Sequence, residues 1–203
     1  MTDSPVHVIV GLGNPGPQHE LTRHNAGFLV MDELADRVGS KLHRRRSSQG
    51  APMELAEGRL GGPPGDVNAR RVVLVKPMGF MNRSGAAVSA VAAFYKVPPA
   101  QIVVIHDDLD LPPGVIRVKR GGGEAGHNGL RSISGSLGSK DYLRVRFGIG
   151  RPPGRQLGAD YVLGQFSAAE RVELAGPIGT AVDAVEALLH NDLATVQNTF
   201  HAQ

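Results

Sequence analysis

The chain contains no cysteine and no tryptophan in its 203 residues. The absence of cysteine excludes disulfides, thiolate metal ligands and a thiol nucleophile, and it suits the reducing cytoplasm in which we expect this protein to act. No stretch approaches the ~20 apolar residues of a membrane helix, so we expect no membrane contact. Residues 1–5 lack the basic region that opens a secretory signal peptide, and we expect none.

Basic residues are concentrated in one segment of the chain. Residues 117–155 contain nine lysines and arginines against two acidic residues, a net charge of +7, whereas the rest of the chain carries −4. Such a segment is typical of a surface that binds a polyanion, although a solvated arginine-rich surface gives the same count. With three tyrosines and six phenylalanines, contacts to a nucleic acid would involve its phosphates more than stacking on its bases.

Strand-like and helix-like hydrophobic patterns alternate along the chain, which indicates an α/β fold. Strands are predicted at residues 6–10, 53–57, 71–76, 102–105, 115–120 and 143–149, and helices at 26–38, 84–95, 127–137, 178–189 and 193–200. Ser84 is expected to cap the second helix, and residues 61–65 to form a loop. No repeat or change in composition marks a linker, so residues 1–203 are expected to form a single domain.

A glycine-rich turn at residues 11–16 follows the first predicted strand. Its spacing matches G-x-G-x-x-G, which is typical of dinucleotide-binding sites. Such a site needs an acidic residue at the end of a second strand about 20 residues later, but Asp32 and Glu33 lie inside the first predicted helix. Pro15 and Pro17 also remove backbone N–H donors that a pyrophosphate would need. The pattern therefore favours a tight turn over a dinucleotide site.

A second hypothesis is a metal site, for which the chain offers several imidazoles and carboxylates: His24, His106, Asp107, Asp108, Asp110 and His127. Neighbouring residues of a strand point to opposite faces, so His106 and Asp107 are poorly placed to bind one ion together. We therefore expect no bound metal.

A third hypothesis is hydrolysis by a general base. Asp107 follows a predicted strand, where active sites of α/β folds collect, and a carboxylate paired with His24 would fix the imidazole tautomer and raise its basicity. The chain has no G-x-S-x-G nucleophile elbow, so the base would act on water directly. Asn14, Asn82 and Asn128 have amides suited to a peptide backbone or an oxyanion, although each also fits an ordinary turn or cap.

Five sequence blocks resemble the bacterial-type peptidyl-tRNA hydrolase family: GLGNPG at 11–16, TRHNAG at 22–27, KPMGFMNRSG at 76–85, HDDLDLP at 106–112 and GGGEAGHNG at 121–129. The resemblance implies a single α/β domain with a mixed, twisted β-sheet surrounded by helices. It also implies cleavage of the ester between a peptide and tRNA, which rescues tRNA from aborted translation. The protein would be a cytoplasmic monomer without cofactors, with peptidyl-tRNA as its partner. A non-catalytic RNA-binding relative of the same fold is the alternative.

By this resemblance His24 is the general base, Asp107 orients it, and Asn14 is the third catalytic residue. The implied substrate-binding residues are Asn14, His19, Phe80, Met81, Asn82 and Asn128. The family usually has tyrosine where this chain has His19. A role that depends on the tyrosine ring or hydroxyl is therefore in doubt at this position.

The family's 5′-phosphate clamp corresponds to Lys119 and Arg146. Alternation along a strand places Arg117 on the same face as Lys119, and Arg144 on the same face as Arg146. All four are therefore expected to contact tRNA phosphates.

Overall fold

The structure, a computed structural model, describes residues 5–63 and 65–202. Within those ranges the strands form one seven-stranded sheet in the order β2-β3-β4-β1-β5-β7-β6. The strands are β1 His7–Gly11, β2 His43–Arg46, β3 Pro52–Leu60, β4 Arg70–Pro77, β5 Ile102–Asp108, β6 Ile116–Arg120 and β7 Leu143–Gly148. The central strands β4, β1, β5 and β7 are parallel, and β2, β3 and β6 each pair antiparallel. The sheet is therefore mixed, as the family resemblance implied.

Helices cover both faces of the sheet. They are α1 Ala26–Val38, α2 Ser84–Tyr95, α3 Asn128–Leu137, α4 Gly158–Val162, α5 Ala168–Glu173, α6 Ala175–His190 and α7 Leu193–His201. One hydrophobic core joins the sheet to α1, α6 and α7, and a second joins its other face to α2 and α3. The single-domain α/β fold predicted from the sequence is confirmed. In the part of the chain that the structure describes, no helix is long and apolar enough to cross a bilayer.

The start of α1 lies directly against β1 because glycines leave no side chain between them. A Cβ on Gly27 would lie 2.4 Å from the backbone nitrogen of Leu12, and a Cβ on Gly11 would lie 2.4 Å from the carbonyl oxygen of Gly27. Real Cβ contacts are essentially never this short, so both positions require glycine. This close approach brings His24, in the 3₁₀ turn just before α1, to the carboxyl end of the parallel strands.

Three features of local structure differ from what the sequence predicts. Ser84 does not cap α2 but is its first residue, and its hydroxyl donates to the carbonyl oxygen of Met81. Residues 44–46, for which the sequence pattern predicts no element, belong to β2. The short helices α4 and α5 also have no counterpart among the elements predicted from sequence.

Candidate active site

Asp107 lies at the carboxyl end of β5 and is buried. Its Oδ1 lies 2.9 Å from Nδ1 of His24 and 2.9 Å from Nε2 of His127. His24 comes from the turn before α1, and His127 immediately precedes α3. One carboxylate therefore accepts hydrogen bonds from two imidazoles on opposite sides of the sheet edge.

The charge of Asp107 is maintained by these two imidazoles. Burial by itself would raise the pKa of Asp107, but the electrostatic attraction and hydrogen bonds of His127 and His24 hold it well below its usual range. The side chain is therefore a carboxylate at neutral pH, and both imidazoles bind it as donors.

The two imidazoles differ in what their other nitrogen does. Nδ1 of His127 accepts the backbone N–H groups of Gly129 at 3.1 Å and Leu130 at 3.4 Å, so this ring caps α3. With Nε2 donating to Asp107 and Nδ1 accepting from the helix, His127 is fixed as a neutral tautomer. His24 donates through Nδ1, and no contact within residues 5–63 and 65–202 occupies its Nε2. His24 is therefore the imidazole that can take up a proton.

A third imidazole, His106, lies beside this pair but faces the interior. Its Nδ1–H donates to the carbonyl oxygen of Asp107 at 2.7 Å, and its ring centroid lies 5.2 Å from that of His127. Burial lowers the pKa of His106 to about 3. Its Nε2 is buried without a hydrogen-bond partner among the described residues, so His106 is a neutral packing residue.

A metal ion would find its ligands in the same place. One nitrogen each of His24 and His127 and a carboxylate oxygen of Asp107 lie within 4.8 Å of one another. An ion there would have to replace the imidazole protons that now bind the carboxylate. The other metal candidates from the sequence are engaged elsewhere: Asp108 accepts from Nε of Arg146 at 2.8 Å, and Asp110 pairs with Arg151.

Asn14 is buried in the loop after β1 and is held by Asn25, the residue that follows His24. The backbone N–H of Asn14 donates to Oδ1 of Asn25 at 2.8 Å, and Nδ2 of Asn25 donates to the carbonyl oxygen of Asn14 at 2.9 Å. Oδ1 of Asn14 accepts the backbone N–H of Met81 at 2.8 Å, which leaves its Nδ2 available as a donor. Asn25, which belongs to the block at 22–27 but is given no role by the sequence analysis, locks the loop to the histidine turn.

The remaining predicted substrate residues differ in how deeply they are buried. Met81 is buried against Gly129, Asn82 and Asn128 are exposed, and the side chain of Phe80 is also exposed. The turns that carry Asn14, Asn82 and Asn128 therefore meet at one edge of the sheet. His19 lies farther along the β1 loop and is half-buried, and its carbonyl oxygen accepts the hydroxyl of Thr22.

The turn that carries His24 is anchored by residues near the end of the chain. Nη2 of Arg23 donates to both carboxylate oxygens of Glu170, at 2.9 and 3.1 Å, and its guanidinium lies 4.4 Å from the ring centroid of Tyr161. The backbone N–H of Arg23 donates to Gly164. Glu170 is 147 residues distant from Arg23 in sequence, so local patterns could not predict this anchor.

The four predicted phosphate contacts share one face of the sheet, since Arg117 pairs with Arg146 and Lys119 with Arg144. Arg144, however, is fully buried, and its Nη atoms donate to the carbonyl oxygens of Gly122 and Gly123 at 3.0 and 2.7 Å. A buried guanidinium with these partners cannot reach a phosphate. The structure therefore corrects the prediction for Arg144, which fixes the glycine loop instead.

The other three basic residues are half-buried and differ in their contacts. Arg117 donates to the carbonyl oxygen of Phe200 at 2.8 Å and so holds the end of α7. Arg146 pairs with Asp108 and is still partly exposed. Burial, then the like charges of Arg144 and Arg146, lower the pKa of Lys119. An anion beside Lys119 would offset this repulsion.

Comparison with known proteins identifies the family. The family model described as peptidyl-tRNA hydrolase matches residues 8–203. This chain belongs to the peptidyl-tRNA hydrolase family. It is 53% identical over 201 residues to the peptidyl-tRNA hydrolase of Frankia alni, covering 99% of this chain and 96% of that protein. It is 56% identical over 194 residues to that of Rhodococcus erythropolis, covering 96% and 97%.

A solved peptidyl-tRNA hydrolase has the same fold. The crystal structure of the enzyme from Acinetobacter baumannii matches with a TM-score of 0.82 and 36% identity, covering 100% of this chain and 97% of that one. The family resemblance drawn from the five sequence blocks is therefore confirmed. The His24–Asp107 pair expected of a peptidyl-tRNA hydrolase is present as a direct hydrogen bond.

Proposed function

We propose that this protein hydrolyses the ester that joins a peptide, or an N-blocked amino acid, to the 3′ end of tRNA. The observation that carries the proposal concerns the two imidazoles that bind the carboxylate of Asp107. Among the described residues, both nitrogens of His127 are occupied, whereas Nε2 of the partly exposed His24 is free to accept a proton. Membership of the peptidyl-tRNA hydrolase family supplies the substrate class.

The reaction begins with water bound at Nε2 of His24. The imidazole takes a proton from this water as the oxygen attacks the ester carbonyl carbon, and Asp107 stabilises the imidazolium that forms. The tetrahedral intermediate then collapses: the bond from the carbonyl carbon to the ribose oxygen breaks, and the imidazolium returns its proton to that oxygen. The products are a peptide with a free carboxyl group and tRNA with a free 3′ end.

Amide groups of three loops would bind the reacting ester and its neighbours. Asn14 offers Nδ2 to a carbonyl oxygen, because its Oδ1 is already used by Met81. Asn82 and Asn128 are exposed beside it, and each can donate and accept. We assign Asn14 and Asn82 to the peptide and terminal nucleotide, and Asn128 to the water or the oxyanion. Phe80, Met81 and His19 would line the cleft.

The tRNA phosphates would bind Lys119 and Arg146, which carry partly exposed positive charge on β6 and β7. Arg117, half-buried and bound to Phe200, would be a further phosphate contact. Arg144 would act on tRNA only indirectly, through the glycine loop. The proposal includes a cytoplasmic location, supported by the cysteine-free composition, and action as a monomer.

Turnover of a pre-formed N-acetylaminoacyl-tRNA tests this function. We expect repeated release of free tRNA, and we expect the rate to survive EDTA because the chemistry uses a protein base and amide donors. Binding without turnover would instead support a non-catalytic RNA-binding protein. Loss of activity in EDTA, restored by a divalent ion, would show that the His24–Asp107–His127 cluster works through a metal. The tRNA must be folded beforehand, since its own folding responds to magnesium.

A further inference from the structure

The edge strand β2 presents three consecutive arginines, Arg44, Arg45 and Arg46, all exposed. They line a surface cleft of about 510 Å³ together with Pro15 and Gly16 of the loop after β1, Met78 after β4, and the first two residues of β3, Pro52 and Met53. Gly16 lies two residues after Asn14, and Met78 lies three residues before Met81. The cleft therefore opens beside the candidate active site.

Two of these arginines have no acidic partner among the residues that the structure describes. Arg44 lies 3.9 Å from a carboxylate oxygen of Glu54. Arg45 donates only to the carbonyl oxygen of Arg44, and Arg46 only to that of Gly50, at 3.1 and 2.9 Å. Within residues 5–63 and 65–202, neither forms an ion pair. The cleft therefore carries positive charge that no carboxylate of the described chain neutralises.

The sheet order places this cleft on one side of the reacting ester and the candidate phosphate clamp on the other. From β5, which carries Asp107, the sheet continues through β7 to β6, the strands of Arg146 and Lys119. In the opposite direction it continues through β1, β4 and β3 to β2. If the tRNA extends from the ester toward β7 and β6, the peptide extends toward β2.

Arg45 and Arg46 leave β2 on opposite faces, but β2 is an edge strand and both long side chains line the same cleft. We propose, resting on the proposed function, that Arg45 and Arg46 form a subsite that selects acidic side chains in the peptide part of the substrate. Four inter-strand spacings of about 4.8 Å separate β5 from β2, about 19 Å in all. An extended peptide advances about 3.3 Å per residue. The distance corresponds to about six residues of extended peptide. Because the arginine and acidic side chains both extend toward each other, the selected side chain lies about four to six residues before the ester-linked amino acid.

The peptide is favoured over tRNA as the occupant because of direction and chemistry. The nucleic-acid side of the ester already has cations on β7 and β6, which lie one and two strands from β5. The β2 cleft also contains apolar surface from Met53, Met78 and Pro52, which suits an extended peptide with a charged side chain.

The test compares peptidyl-tRNAs that share one tRNA and one peptide sequence except at the fifth residue before the ester, which is Glu, Gln or Lys. For the wild-type protein we expect kcat/KM to be about twofold to tenfold higher for the Glu substrate than for the Gln substrate, because two exposed ion pairs contribute an effect of this size. The Lys substrate should have the lowest kcat/KM. The Glu preference should shrink as salt is raised. Moving Glu to the first or tenth residue before the ester should also remove the preference.

The variant R45Q/R46Q should bring the Glu-to-Gln ratio close to one. The matched control K96Q/R171Q removes two exposed charges from the end of α2 and from α5, and it should keep the wild-type ratio. Circular dichroism on both variants checks that each is folded, and the single variants R45Q and R46Q should each lower the ratio in part.

Three results would overturn the inference. Equal kcat/KM for the three substrates with the wild-type protein would refute the subsite while leaving ester hydrolysis intact. A uniform loss in R45Q/R46Q, with a shallower salt dependence of tRNA binding, would assign the arginines to tRNA. Absence of hydrolysis with every substrate would refute the proposed function itself, and the subsite with it.

Discussion

Single nitrogen atoms decide the chemistry at the residue scale. Asp107 binds His24 and His127 at the same distance, 2.9 Å, so proximity to the carboxylate does not distinguish the two rings. The distinction comes from α3, whose N–H groups occupy Nδ1 of His127. Among the described residues nothing occupies Nε2 of His24, which is therefore free to accept a proton.

His106 should make stability depend on pH. Its pKa is about 3 in the folded protein, whereas an unperturbed histidine has a value of 6.5. Between these values the unfolded chain binds one more proton, so the free energy of unfolding falls as pH decreases, by up to about 1.4 kcal/mol per pH unit. The contribution is fully present above pH 6.5. Urea unfolding at pH 7 and at pH 5 measures this effect. Between these two pH values the free energy of unfolding should decrease less for H106Q than for the wild type.

The exposed His43 gives a matched control for that measurement. H43Q should retain the wild-type dependence of unfolding free energy on pH. An unchanged dependence in H106Q would show that His106 is not the buried neutral group described here.

The candidate site is partly predictable from its residues. His24 and Asp107 can be paired because one precedes a helix and the other ends a strand, and such positions meet at one sheet edge. The cap formed by His127 cannot be predicted, since histidine is not among the usual cap residues. The prediction for Arg144 is wrong because alternation along β7 gives its face but not the carbonyl groups of the glycine loop that bury it.

At the scale of elements, the contact of α1 with β1 should be sensitive to one added methyl group. G27A would place a Cβ 2.4 to 2.6 Å from backbone atoms of Leu12 and Ile105, so we expect a loss of about 1–3 kcal/mol in unfolding free energy. Because α1 positions His24, hydrolysis should also slow. Chemical denaturation and initial rates measure the two effects.

Gly135 supplies the control within another helix. A Cβ there would meet nothing within 4 Å, so G135A should be neutral or should stabilise α3 by up to about 1 kcal/mol. Similar stabilities of G27A and G135A would contradict the close approach of α1 to the sheet.

Predictability also differs between elements for a physical reason. Helix α1 has the bounds predicted from sequence because its buried residues recur at helical spacing and Gly39, with φ 66°, ends it. Strand β2 cannot be predicted from the sequence, because all four of its residues are exposed and it therefore has no hydrophobic alternation. Backbone pairing with β3 holds it in the sheet.

At the scale of the whole molecule, the positive charge on β6 and β7 should govern tRNA binding rather than the chemical step. K119A/R146A should raise KM for tRNA substrates with little change in kcat, because the same phosphates are bound in the ground and transition states. Removing each phosphate-binding cation should reduce the salt slope of binding by about 0.7–0.9. The variant should also discriminate less against substrates that lack the 5′ phosphate.

K96A/R171A removes the same charge from distant exposed positions and should leave the salt slope and the 5′-phosphate preference at wild-type values. If K119A/R146A behaved like this control, the basic segment would be a solvated surface and tRNA would be held elsewhere.

The most direct test of the account is single-turnover hydrolysis of a defined peptidyl-tRNA by wild-type protein and by H24A, with tRNA affinity measured in parallel. Removal of a positioned general base should lower the rate by about 10²–10⁴. Affinity for tRNA and the free energy of unfolding should change little, because His24 binds no phosphate and is only one of the two imidazoles that donate to Asp107. A rate for H24A close to that of the wild type would show that the base is not His24, and it would contradict the central claim.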